Sequence, residues 1–142
     1  MIFSSIAHYP VKITITTILS PITSLSGRLL NTVNTVQKFI KVKAFQLTFF
    51  IRAFLNRRIP YSEVNLYFWD TMEEWSQVNI GKHLPCGHQE IVFWHLLYQV
   101  HYWPEQTLLN DFYLRGELNA CLDYLESESS YPLPLDCIGI RP

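Results

Sequence analysis

The sequence predicts a mainly α-helical protein. It should hold a compact three-helix domain at about residues 62–127 with an apolar, extended C-terminal tail, preceded by one or two basic amphipathic helices. Apolar residues recur every three or four positions over most of the chain, the spacing of one helix face. Pro60, Gly81 and Pro104 punctuate that pattern singly, as helix breakers do. Apolar residues make up 49% and charged residues 16% of the 142, which places the chain among globular proteins and against wholesale disorder.

Charge divides the chain in two. Of its 11 Lys and Arg residues only Lys82, Arg115 and Arg141 follow Glu63, whereas all 12 Asp and Glu residues lie from Glu63 onward. Residues 1–60 therefore read as a basic, acid-free N-terminal segment, and residues 61–142 as an acidic, aromatic-rich helical domain with a C-terminal tail. The net charge of −1 hides this asymmetry. It fits a basic part that meets an anionic surface, or two parts that meet each other. The three cysteines form no Cys-x-x-Cys and no even framework, which favours a reducing compartment. No uncharged apolar run is long enough for a membrane span. The expected location is cytoplasmic, at the periphery of a membrane. The Ser/Thr-rich, acid-free leader also shares its composition with organellar transit segments.

Along the chain, residues 1–21 alternate apolar and polar between Pro10 and Pro21, which suits a weak strand without a partner or a disordered stretch. Helices are expected within 22–58. Ile22, Leu25, Leu29, Val33, Val36 and Ile40 share one face, and Lys38, Lys41, Thr48, Arg52 and Asn56 form a narrow polar stripe. Arg57 and Arg58 suit the helix C-terminus, and Pro60 stops it. A helix over 62–80 is expected next, with Ser62 as N-cap, Glu63 in the first turn and Gly81 as C-terminal cap. Residues 81–88 read as a loop. Helix 89–103 is apolar nearly all round, the mark of a central buried helix. Pro104 ends it and opens a further turn. Asn110 is the expected cap of a last helix, 111–127, and the proline-containing tail 128–142 is extended.

The sharpest chemical pattern is His83-x-x-Cys86-x-His88, three zinc-type ligands within six residues. His95, His101, Cys121 or Cys137 could supply a fourth. Leu84-Pro85-Cys86-Gly87-His88 resembles the middle of a RING finger over five residues, but the Cys pairs that a RING needs on either side are absent, and no RING role is carried over. Cys86 beside His83 or His88 is also the one candidate catalytic nucleophile. No catalytic signature surrounds it and no phosphate-binding glycine loop occurs, so no residue is assigned a catalytic role. No cofactor is assigned from the sequence; zinc would suit the His83, Cys86 and His88 pattern.

Lys38, Lys41, Arg52, Arg57 and Arg58 are the expected contacts to a membrane or other anionic surface. The competing reading docks this basic helix on the chain's own acidic domain. Nucleic acid is a poor partner for so apolar a segment. All four tryptophans fall between Trp69 and Trp103 and supply an aromatic core. Tyr67 and Trp69, off the main apolar stripe of their helix, are the expected contacts to an unidentified protein partner. The tail is expected to latch over the helices through Leu133, Leu135, Ile138 and Ile140. Together these features describe a non-catalytic adaptor, regulatory or assembly protein that acts by protein binding at a membrane surface. The alternatives are a small metal-binding protein using His83, Cys86 and His88, or an enzyme with Cys86 as nucleophile.

Overall fold

The computed structural model describes residues 35–127, 132–134 and 136–142. The expectations for residues 1–34, and for Leu135, lie outside the described residues. Among the described residues there are five helices: α1 (Val36–Leu55), α2 (Tyr61–Ser76), α3 (His88–Tyr102), α4 (Glu105–Asn110) and α5 (Phe112–Ser127). The mainly α architecture with helix-on-helix packing is as the periodicity predicts. The compact unit runs from Thr35 to Pro142, so α1 belongs to it and the chain crosses Pro60–Glu63 without leaving it.

α1 forms because eleven of its twenty residues fall on one buried face, Leu47 and Ile51 with no exposure at all. Thr35 caps it by accepting from the Lys38 amide at 3.3 Å. Each large apolar side chain on that face contributes about 1.5–3 kcal/mol of gross burial. α1 packs against α2, α3 and α5. Its first turn is also tied to the segment after α2, where Val36 N donates to Ile80 O at 3.0 Å.

Several helix ends differ from the expected ones, each for a local reason. α2 starts at Tyr61 after Pro60, with no side-chain cap, so Ser62 lies inside the helix. It stops at Ser76 rather than at 80, because Ile80 is drawn into its bridge with Thr35. Gly81 does adopt the left-handed conformation, φ +92°, but in the turn that follows, where Leu84 N bonds Gly81 O at 3.0 Å. The last helix is capped by Asp111 rather than Asn110: its Oδ1 accepts from Leu114 N at 2.8 Å. The turn opened by Pro104 is the short helix α4.

α3 is central, as its composition predicts. It contacts α1, α2 and α5, and Val92, Phe93, Trp94, Leu96 and Leu97 are wholly buried. Around Trp94 the core is aromatic: Trp75 and Phe93 stand edge-on to it at 5.0 and 4.8 Å, and Phe39 brings α1 into the same cluster, 5.3 Å from Trp75. The buried indole N–H of Trp94 is satisfied by Glu90 Oε1 at 3.1 Å.

Among the described residues, the tail lies against α3 but not through Leu133, Ile138 or Ile140, which are exposed. The tail is held instead by polar and backbone contacts. Arg141 grips Glu90 through Nε and Nη2 and donates to the carbonyls of Lys82 and Leu84. Tyr98 donates its hydroxyl to Ile140 O at 2.9 Å. At Gly139 the two backbones come so close that any Cβ would run into the Ile91 carbonyl.

Candidate functional site

α1 presents a solvent face opposite its buried one. Val42, Phe45 and Phe49 are spaced three and four residues apart, so they form one stripe. Phe45 is 63% and Phe49 46% exposed among the described residues. Lys38 and Lys41 are exposed on the same side, and Arg57 and Arg58 are exposed just beyond the helix. No acidic residue occurs in α1 or in its flanks up to Ser62.

Of the five expected surface cations, Arg52 is the exception. It turns inward to α5, donating to Glu126 Oε1 at 3.0 Å, Asp123 Oδ1 at 2.7 Å and Asn119 Oδ1 at 2.9 Å. These carboxylates hold its pKa above the ordinary value for arginine. Lys43, also on α1, is buried and reaches Glu74 Oε2 at 2.6 Å. The basic helix thus does dock on the acidic helices of the same chain, through Arg52 and Lys43. That leaves Lys38, Lys41, Arg57 and Arg58 facing solvent.

The two expected partner contacts separate. Tyr67 is buried between α1 and α2, 4.7 Å from the Phe50 ring, with its hydroxyl donating to Lys43 O at 2.9 Å. Burial pushes its phenol strongly upward in pKa. The single-stripe reading of α2 missed this because α2 packs on two sides, against α1 and against α3. Trp69 remains exposed at 57%. It stands edge-on to Phe68 and to His101, whose imidazole stacks flat on Phe68 at 3.7 Å.

His83, in the loop before α3, and His88, the first residue of α3, are exposed, and Cys86 between them is half-buried. Burial and the neighbouring Glu90 raise the Cys86 pKa, against a smaller opposing effect of Arg141. That is the reverse of what an activated thiolate needs. Arg141 fastens this loop to α3, so its order has a structural cause in the tail.

Among the described residues, the group whose ligand atoms gather is a different one: His95, Cys121 and Cys137, all within 4.8 Å of one another. None of His83, Cys86 and His88 belongs to it. The three come from α3, α5 and the tail, separated by 26 and 16 positions, so no short motif marks them. In the sequence each stands out only as a ligand type that could complete the 83–88 loop. Cys121 and Cys137 are free thiols with sulfurs 3.9 Å apart. His95 Nδ1 accepts from Ile138 N at 3.3 Å, which turns that nitrogen towards the tail.

No known protein family, curated protein or solved structure matches the chain.

Proposed function

We propose that this is a non-catalytic binding protein that sits on an anionic membrane surface through the outer face of α1 and offers Trp69 to a protein partner. The observation that carries the reading is the Val42–Phe45–Phe49 stripe, bordered by Lys38 and Lys41 on a helix without acids. Apolar groups at this spacing enter the boundary between headgroups and acyl chains, and each nearby Lys or Arg adds about 1 kcal/mol of attraction to anionic lipid. Among the described residues no helix is long and apolar enough to cross a membrane, so contact would be at the surface.

Co-sedimentation with phosphatidylserine/phosphatidylcholine vesicles tests the reading. The full chain should bind at low salt, release as salt rises, and ignore pure phosphatidylcholine. Phe45→Ser/Phe49→Ser and Lys38→Glu/Lys41→Glu should each abolish binding, while Trp69→Ala should leave it intact. Failure to bind at low salt, or binding indifferent to both double variants, refutes the membrane role.

A further inference from the structure

We propose that His95, Cys121 and Cys137 form a binding site for a zinc-class divalent cation that fastens the C-terminal tail to α3 and α5. Two thiolates on a tetrahedral zinc at about 2.3 Å each stand roughly 3.8 Å apart. The sulfurs of Cys121 and Cys137 are 3.9 Å apart, close to that separation. The histidine ligand atom lies within 4.8 Å of both, so closure needs small side-chain rotations only. Two sulfurs and one imidazole nitrogen are the donor set that zinc favours over magnesium or calcium.

The rest of the fold pre-positions these ligands. Cys121 is buried on α5, and α5 packs on α3, which carries His95. Cys137 is delivered by a tail pinned independently through Arg141, Tyr98 and the close approach at Gly139. The tail would hold without the ion, so a metal is not needed to explain its path. The convergence of three soft ligands from three separate segments is what those pins leave unexplained. Glu117 lies one turn before Cys121 on α5, and its charge acts on His95, Cys121 and Cys137.

Binding is a simple exchange. Two thiols lose their protons to solvent, two S–Zn bonds form, and one nitrogen of the neutral imidazole donates its lone pair to the ion. The thiolates cancel the charge of the ion, and no electrons change hands. A disulfide between the same cysteines would instead require an oxidant.

Cobalt(II) titration of the full chain, reduced and without a histidine tag, reads the site directly. One equivalent should produce the charge-transfer and visible bands of tetrahedral thiolate ligation, and zinc should displace them. The bands should vanish in Cys121→Ser/Cys137→Ser, shift in His95→Gln, and persist in Cys86→Ser and in His83→Gln/His88→Gln. In the unaltered protein, which removes any concern over folding of the variants, stoichiometric zinc should slow alkylation of Cys137 by about tenfold or more and leave Cys86 unchanged. Absence of thiolate bands, bands that survive the double cysteine variant, or equal alkylation of Cys137 with and without zinc would overturn the assignment.

Discussion

The Tyr67 hydroxyl sits in the interior and donates to a backbone carbonyl one helix away. Tyr67→Phe should cost about 0.5–1.5 kcal/mol in urea unfolding, since the Lys43 carbonyl loses that donor. The same burial makes a prediction for alkali. The phenol titrates near pH 10 in the unfolded chain but well above that in the fold, so above pH 10 the folded state holds the extra proton. Its contribution to stability is complete below pH 10 and is lost as pH rises further. Ultraviolet titration of tyrosinate should therefore show a reduced native step near pH 10, and the missing part should appear only with unfolding. Arg141 and Glu90 form the other decisive pair, with side chains 15% and 7% exposed. Arg141→Ala strands a buried carboxylate, so it should cost about 3 kcal/mol and expose the tail to protease. Gly139→Ala should also lift the tail, by collision with the Ile91 carbonyl rather than by loss of charge.

At the scale of the helix, α1 carries two functions on two faces. The inner face holds the core, and its charged members Lys43 and Arg52 are committed to Glu74 and to Asp123 and Glu126. The outer face contributes little to stability, so Phe45→Ser/Phe49→Ser should change the unfolding free energy by no more than about 0.5 kcal/mol per site while removing vesicle binding. Leu47→Ala on the inner face should do the opposite: a loss of about 2–5 kcal/mol from a fully buried position. This contrast separates a surface role from a folding role on a single helix. The one-sided apolar spacing of α1 and the all-round apolar composition of α3 are plain in the sequence, because both report burial directly. Tyr67 was misplaced because a helix packed on two sides buries residues outside its dominant stripe. Helix ends also moved, because Ile80 and Asp111 answer to hydrogen bonds that propensity does not encode.

For the molecule as a whole, the compact unit begins at Thr35. A chain cut to start at Thr35 should keep one cooperative thermal transition. A chain cut to start at Pro60 loses the nine buried apolar residues of α1 and should not fold cooperatively. Circular dichroism of the two fragments distinguishes these outcomes. By itself the sequence determined the helical class, the central place of α3 and the aromatic core. Each follows from composition or from spacing within one helix turn, and such signals are local. Only the tertiary structure decided that the basic helix joins the acidic helices, that the tail is clasped by Arg141 with Leu133, Ile138 and Ile140 exposed, and that the metal-type ligands meeting in space among the described residues are His95, Cys121 and Cys137 rather than His83, Cys86 and His88. Those facts depend on which faces of distant segments touch. Packing settles that, and neighbours in the chain carry no record of it.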